Sequence, residues 1–143
     1  MNRNRLIRFA AAAAFALATA GASAQVAVVV GPKSPVGTMT ADQVSAIFLG
    51  KSSALPTGNT AVLADLPDAS PTHDLFYTKV TGKSSAQVKA AWSRLVFSGK
   101  ATPPKELGNA ADVKKFVAAN PDAIGYIEKS AVDSSIKVVF SAD

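Results

Sequence analysis

The sequence predicts an α/β domain, and three features of the chain point to this fold class. Residues 26–30 form a continuous apolar, β-branched run, which is typical of a strand covered on both faces in a parallel or mixed sheet. Amphipathic segments with helix-capping residues follow it. Apolar runs and helical patterns then alternate along the chain. This order favours a mixed, mostly parallel sheet flanked by helices.

The N-terminus has the pattern of a secretory signal peptide. Three arginines occur within the first eight residues, residues 9–20 are apolar and uncharged, and small residues occupy positions 22–24. The apolar run is shorter than the roughly 20 residues that a membrane-spanning helix needs. We therefore predict a signal peptide at 1–24, cleaved after Ala24, and a single domain at 25–143. The mature protein is expected in the periplasm or outside the cell, without a membrane span.

Composition limits the functions that the domain can have. Of the 15 basic residues, three lie in the predicted leader, so 12 face the 10 acidic ones and the net charge falls from +5 to +2. The remaining lysines and arginines form no cluster of the kind that binds nucleic acid. The chain has no cysteine, so a hydrophobic core must hold the domain together without disulfides.

Four helices are predicted from capping residues followed by apolar residues at helical spacing. Thr40 with Gln43, and Ser84 with Gln87, form capping boxes, in which each side chain bonds the backbone of the other residue. The expected N-caps are Thr40, Ser70, Ser84 and Asn109. Gly50 and Gly82 offer helix ends, since glycine tolerates the left-handed conformation found there.

The remaining segments are expected to be strands, a loop and buried helix faces. Strands are predicted at 26–30, 60–66, 123–127 and 136–140, and residues 101–107 are interpreted as a loop because they contain Pro103-Pro104. In the helix after Ser70, we expect Leu75, Phe76 and Val80 to form the buried stripe. Trp92 falls on an apolar helix face and is expected in the core.

The stretch "LPDASPTHDLFYTKV", residues 66–80, contains the best candidate for a binding site. Ser70 is a suitable N-cap and Pro71 suits the first helical position. The first N–H groups of a helix lack internal partners, and the helix dipole favours negative charge there. The hydroxyls of Ser70 and Thr72 could donate further hydrogen bonds to an anion. An ordinary helix cap has the same pattern, so the residues alone leave both readings open.

Signals for catalysis or metal binding are weak. His73 is the one histidine of the chain, and its place in the first helical turn predicts a surface residue. No nucleophile elbow surrounds Ser70. Asp65, Asp68 and Asp74 lack the spacing of a calcium loop. We therefore expect no enzyme activity, metal or cofactor.

Three segments together resemble the phosphate-specific periplasmic substrate-binding proteins of ABC transporters. "MTADQVSAIFLGK" is similar to a helix of that family, "DASPTHDLFYTKV" to its phosphate loop, and "NPDAIGYIEKSAV" to its Pro-Gly-Ala-Ile-Gly-Tyr-Val segment. They occur in the family's order, over residues 26–139. The full receptors have two lobes that close on the anion, whereas this chain has room for one. The resemblance therefore implies a single periplasmic-binding-protein-like lobe, related to the second lobe of the family.

The resemblance also implies site residues. Ser70 and Thr72 match the serine and threonine of the phosphate loop, whereas Pro71 replaces a glycine and removes one N–H donor. The neighbourhood of Asp65 has no counterpart of the arginine that grips phosphate in the family. The candidate ligand-binding residues are Ser70, Thr72, His73 and Asp65.

The leading hypothesis is a secreted protein that binds a small oxyanion, phosphate first, without covalent chemistry. The expected partners are that anion, a homodimer mate or second protein that closes the cleft, and an ABC transporter for phosphate uptake, but no nucleic acid. The alternative is a lobe that binds no small ligand and uses its hinge face to bind a protein partner. A hydrolase based on Ser70 and His73 is the third and weakest alternative.

Overall fold

In the computed structural model, which describes residues 25–142, five strands form one sheet and four α-helices pack on it. The strands are β1 (Val26–Val30), β2 (Val62–Asp65), β3 (Lys105–Glu106), β4 (Ala123–Glu128) and β5 (Lys137–Ala142). The helices are α1 (Ala41–Phe48), α2 (Pro71–Phe76), α3 (Ser85–Phe97) and α4 (Ala110–Ala119). The predicted signal peptide, residues 1–24, lies outside the described residues.

The order of strands across the sheet is β3-β2-β4-β1-β5. Strand β2 pairs in parallel with β3 and β4, while β1 pairs antiparallel with β4 and β5. Four strands therefore run in one direction and β1 runs against them, which confirms the predicted mixed, mostly parallel sheet. All five residues of β1 are buried, as its continuous apolar sequence predicts.

Helices cover both faces of the sheet, as two neighbouring residues of β4 show. Gly125 faces α4, since a Cβ placed there would lie 2.8 Å from Val113. Tyr126 points to the opposite face, where its ring stacks on Phe76 of α2 at a centroid distance of 3.9 Å. Phe48 of α1 meets the edge of the Phe76 ring, at 4.8 Å. The predicted α/β layers are thus confirmed.

The helix boundaries follow the predicted caps. Both capping boxes form, and the Asn109 side chain accepts a hydrogen bond from the Asp112 N–H at 2.9 Å. Gly82 ends its helix with a φ of +70°, in the left-handed region that glycine tolerates. Trp92 is buried, and its indole N–H donates to the Phe48 carbonyl at 2.8 Å. These local predictions are confirmed.

The expected loop at 101–107 is wrong in part, because it contains the edge strand β3. Its two exposed residues pair in parallel with Ala64 and Asp65 of β2. An exposed two-residue edge strand needs no apolar pattern, so the sequence gives no sign of it. The other strands differ from their predicted bounds by one or two residues at one or both ends, apart from β1.

The expected buried stripe after Ser70 is also partly wrong. Phe76 is buried, but Leu75 and Val80 are half-buried, and Tyr77 and His73 occupy the core instead. The buried residues His73, Phe76 and Tyr77 still follow i, i+3, i+4 spacing, so the buried face has another phase than the expected stripe, and a π-helix over residues 77–81 follows it. His73 is 3% exposed, so its expected surface position is wrong. No helix between residues 25 and 142 combines the length and apolarity needed to cross a bilayer.

Candidate functional site

A cleft of about 520 Å³ opens where β2 ends and runs along one side of α3. Ligands of open α/β sheets commonly bind at the carboxyl ends of strands, which is where this cleft lies. We call it the acidic cleft, because three carboxylates line it. Its charged lining residues are Asp65, Asp68, Glu106 and Lys89, and its large apolar ones are Leu66, Val88, Trp92, Val96, Phe97, Pro103 and Pro104.

The structure places the four candidate ligand-binding residues in different surroundings. Asp65 and His73 line the acidic cleft, whereas Ser70 and Thr72 are not among its lining residues. Asp65 is the last residue of β2, Ser70 is the N-cap of α2, and Thr72 and His73 lie in the first turn of that helix, where successive side chains point in different directions. The four side chains therefore do not converge on one ligand position.

Asp65 is held by two buried tyrosines. The Tyr77 hydroxyl donates to Asp65 Oδ2 at 2.9 Å, and the Tyr126 hydroxyl donates to Oδ1. The Leu66 N–H donates to the same Oδ1 at 2.9 Å. Both carboxylate oxygens are thus already engaged inside the protein, and Asp65 joins β2, β4 and the π-helical segment after α2.

The two tyrosines are fixed as hydrogen-bond donors. Burial, together with the nearby Asp65 carboxylate, raises the pKa of Tyr77 far above its usual value of about 10. The same causes, burial first, raise the pKa of Tyr126. Both hydroxyls therefore keep their protons throughout the physiological range, and the carboxylate remains their acceptor.

His73 belongs to a chain of side chains that reaches the surface. The Ser85 hydroxyl donates its one hydrogen to Asp74 Oδ1 at 2.6 Å, so it accepts from His73 Nδ1, 3.0 Å away. The other ring nitrogen, Nε2, lies 3.4 Å from Asp68 Oδ1 and 3.8 Å from Asp65 Oδ1. In the neutral ring Nε2 is an acceptor that faces two carboxylates. The imidazolium form would instead present a donor to Asp68.

The two hydroxyls of the phosphate-like loop differ in their surroundings. Thr72 is buried, and its hydroxyl donates to Glu128 at the end of β4, at 2.9 Å. Ser70 is the N-cap of α2, as predicted, but its side chain makes no capping hydrogen bond. Of the two hydroxyls, that of Ser70 is the one left for a ligand at the start of α2.

Sequence reasoning missed three residues that shape the site: Tyr77, Tyr126 and Ser85. Tyr77 and Tyr126 are the two tyrosines of the chain, and both contact Asp65, which is 12 and 61 residues away in sequence. A tyrosine in an otherwise apolar run, as in "AIGYI", is a signal that a buried hydroxyl needs a partner. The identity of that partner depends on the sheet.

A second cleft, of about 470 Å³, lies near the start of β2 and has the opposite charge. We call it the basic cleft, since Lys51 and Lys100 line it and no carboxylate does. Hydroxyl side chains complete its polar lining: Ser52, Ser53, Thr60 and Thr102. Trp92 lines both clefts and separates them.

The fold is similar to about half of each of several solved transport and binding proteins. A structure described as a phosphate ABC transporter substrate-binding protein of Clostridium perfringens, with bound phosphate, matches 81% of this chain with a TM-score of 0.65 and 24% identity. An ABC-type phosphate transport receptor from Vibrio cholerae matches the same share with a TM-score of 0.63 and 20% identity. PstS from Borrelia burgdorferi follows, with a TM-score of 0.57 and 11% identity over 81% of this chain.

These likenesses confirm the fold that the three sequence segments implied. The chain spans only 45%, 46% and 47% of those three structures, respectively, as expected for a single lobe. No protein-family model matches the sequence, and no curated protein matches it. The first two of these structures are described as a substrate-binding protein and a transport receptor.

Proposed function

We propose that this protein is a secreted substrate-binding lobe that binds a small oxyanion, phosphate first, at the N-terminal end of α2. The observation that carries the proposal is the Ser70 hydroxyl, which heads this helix without capping it, in a fold shared with a lobe of a structure that holds phosphate. Binding would be non-covalent, through this hydroxyl and the Thr72 N–H, because Pro71 has no N–H and the His73 N–H donates to the Ser70 carbonyl at 3.1 Å. The predicted signal peptide supports a periplasmic or extracellular location.

The local charges limit the affinity of such a site. Asp68 and Asp74 flank the start of α2, and carboxylates repel a phosphate dianion. Micromolar binding needs about 8 kcal/mol, whereas a charge at an exposed helix N-terminus gains about 0.3–1 kcal/mol and a charge-assisted hydrogen bond about 1.5–3 kcal/mol. We therefore expect a dissociation constant on the order of 100 μM or weaker for the monomer.

Tighter binding would require a second wall over the start of α2. In the proposal, another copy of the chain or a different protein supplies that wall. The likeness to proteins described as parts of phosphate ABC transporters supports a role in phosphate uptake through such a transporter. A wall that carries arginine would restore the contact that the neighbourhood of Asp65 lacks.

Calorimetry of residues 25–143 with phosphate tests this proposal, after light scattering has fixed the oligomeric state. We expect weak heat with phosphate that Ser70→Ala reduces, because the loss of one charge-assisted hydrogen bond weakens binding by about tenfold or more. Sulfate serves as the control anion, since it carries no proton that Asp68 could accept. Phosphate heat that is unchanged in Ser70→Ala would reject the site, and submicromolar binding by a proven monomer would reject the affinity argument.

A second candidate function is a protein-interaction module, and the contacts inside the site favour it. Asp65 accepts hydrogen bonds from the hydroxyls of Tyr77 and Tyr126. The Thr72 hydroxyl donates to Glu128. Across residues 25–142, every fully buried side-chain polar atom has a hydrogen-bond partner within the protein. A partner recovered by cross-linking, with no effect of phosphate or sulfate on thermal stability, would favour this function over oxyanion binding.

A further inference from the structure

We propose that the acidic cleft binds a segment of a partner protein in which an arginine or lysine lies beside a large apolar side chain. This inference rests on the second candidate function, for which it names the chemistry of the partner, and it does not depend on oxyanion binding at Ser70. Its basis is the combination, in one cleft, of an exposed apolar wall and a carboxylate-rich mouth.

The apolar wall comes from α3 and the loop that follows it. Val88 and Trp92 form its buried part, while Phe97 is 96% exposed and Val96 is 42% exposed. Pro103 and Pro104 extend the same lining. Isolated apolar residues on a surface are ordinary, but a group of them in a cleft is typical of an interaction site.

The charged groups of the cleft favour a cationic partner. Asp68 and Glu106 are exposed carboxylates of the cleft, whereas Asp65 is already engaged by the two tyrosines. The one lining lysine is Lys89, whose Nζ lies 4.0 Å from Asp68 Oδ2. Both members of this pair are largely exposed, so the pair contributes little stability. A guanidinium or ammonium group of a partner can therefore take the place of Lys89 beside Asp68 at small cost.

In its neutral form, His73 presents a hydrogen-bond acceptor to the cleft and no donor. Its Nδ1 is committed to Ser85, and in the neutral ring its Nε2 presents a lone pair only 3.4 Å from Asp68. A hydrogen-bond donor placed between Nε2 and Asp68 would satisfy both acceptors. Arginine suits this position because its planar group carries five donors and no acceptor.

The position of Phe97 favours a polypeptide over a small cation. A small cation held beside Asp68 would leave the exposed Phe97 ring in water, whereas a chain that continues along α3 would cover it. Interfaces of this kind combine an apolar centre with a polar rim, and aromatic and arginine side chains are enriched in them. The occupant we infer is therefore a peptide segment with a basic residue next to leucine or a similar side chain.

A pair of peptides tests the inference on residues 25–143. Acetyl-Gly-Leu-Arg-Leu-Gly-amide is titrated against the same peptide with citrulline, a neutral isostere of arginine, and binding is followed by backbone amide shifts and by the fluorescence of Trp92, the one tryptophan. We expect the arginine peptide to bind about two- to fivefold more tightly, and added salt to reduce this preference. The shifts should fall on residues around Asp68 and Phe97.

Matched variants separate charge from apolar contact. Asp68→Asn should remove the preference for arginine, while Asp42→Asn, which alters an exposed aspartate of α1, should keep it. Phe97→Ala should weaken both peptides equally, while Val138→Ala, at another exposed apolar residue, should weaken neither. Each changed side chain is exposed or half-exposed, so these variants should fold.

Three results would overturn the inference. The first is no binding of the arginine peptide at about 10 mM, well above the dissociation constants of ordinary weak complexes. The second is equal binding of the two peptides, which would show that the carboxylates are not used. The third is dimerisation of the protein that Phe97→Ala abolishes, which would show that a second copy of this chain covers the cleft. None of these results bears on phosphate binding at Ser70, which is measured separately.

Discussion

The two clefts beside Trp92 are similar in size and opposite in charge. The acidic cleft carries three carboxylates and one lysine at the end of β2, and the basic cleft carries two lysines and no carboxylate near its start. The basic cleft is lined mainly by hydroxyls and lysines, whereas the acidic cleft has a large apolar wall. One face of Trp92 therefore borders a surface suited to a protein segment, and the other borders a polar surface.

The positions of the helix ends account for much of this difference. The acidic cleft adjoins the starts of α2 and α3, whose dipoles favour negative side chains, and Asp68 lies two residues before the Ser70 N-cap; the cleft also extends along α3 to Phe97. The basic cleft lies near the ends of α1 and α3, and Lys51 and Lys100 each lie three residues beyond the last helical residue. Each cleft carries the charge that neutralises the adjacent helix ends. Charged side chains beside helix ends are therefore expected even where no ligand binds. A proposal that a ligand binds in the acidic cleft needs a further observation, such as the exposed Phe97.

Removal of the Trp92 side chain, which separates the two clefts, should have the largest effect on the free energy of unfolding. Trp92→Ala should lower the free energy of unfolding by about 3–5 kcal/mol, because it opens a cavity and removes the hydrogen bond to the Phe48 carbonyl. Urea denaturation followed by circular dichroism measures this change. Trp92→Phe is the control, since it keeps most of the wall and should cost less. A loss below about 1 kcal/mol for Trp92→Ala would show that the wall is not tightly packed.

The tyrosine pair beneath the acidic cleft should have the next largest effect. Tyr126→Phe removes a donor from the buried Asp65 carboxylate, and we expect a loss of about 1.5–3 kcal/mol in the free energy of unfolding. Tyr77→Phe, which removes the donor to the other carboxylate oxygen, is the comparison and should act in the same direction. If both variants are as stable as the wild type, Asp65 does not depend on these hydroxyls.

Because the pKa values of Tyr77 and Tyr126 are raised in the folded protein, we expect its stability to fall at high pH. Because burial and Asp65 raise the pKa of Tyr126 in the folded protein, the unfolded chain loses this proton first as the pH rises above about 10. Stability is thus fully present below pH 10 and falls above it, by about 1.4 kcal/mol per pH unit for each such tyrosine. Guanidinium unfolding between pH 9 and 11 should show a shallower fall for Tyr126→Phe. An equal slope would contradict the burial of an un-ionised hydroxyl.

Substitution of the lysines of the basic cleft should have the smallest effect, and the quantity affected is the affinity for phosphate. These variants test at which end of β2 an anion binds. In phosphate calorimetry, Lys51→Gln combined with Lys100→Gln should change the dissociation constant by less than about fivefold, as expected for exposed charges. Lys33→Gln with Lys115→Gln is the control, since it removes the same charge from exposed residues elsewhere. Heat that survives Ser70→Ala but disappears in the Lys51 and Lys100 variant would place the anion in the basic cleft instead.

Local features of the chain were predictable because local interactions cause them. The capping boxes at Thr40 and Ser84 involve residues three apart, and the left-handed glycine at 82 ends its own helix. Strand β1 is uniformly apolar because both of its faces are covered. The resemblance of three segments to phosphate-binding proteins added the lobe fold, which the structural likeness confirms.

The candidate site was less predictable because contacts between distant residues form it. The sequence placed Ser70, Thr72 and His73 at one helix start and Asp65 in the preceding strand, but it could not show that Thr72 would meet Glu128, 56 residues away. It also assigned His73 to the surface, because a lone histidine in the first turn of a helix is usually exposed, and the sequence does not show that Ser85 and Asp65 come to lie beside it. Edge strand β3 was missed because two exposed residues carry no periodic signal.

The class of fold, the helix caps and a candidate anion site at Ser70 could be predicted from the chain alone, because neighbouring residues in sequence produce these features. The chemistry around Ser70 depends on the folded structure, since the partners of Asp65 and Thr72 come from other strands and helices. A hydroxyl or carboxylate has a fixed capacity for hydrogen bonds, and long-range packing determines which neighbours use it. In this protein, packing directs much of that capacity at Asp65 and Thr72 to the protein itself, and leaves Phe97 and the carboxylates of Asp68 and Glu106 exposed.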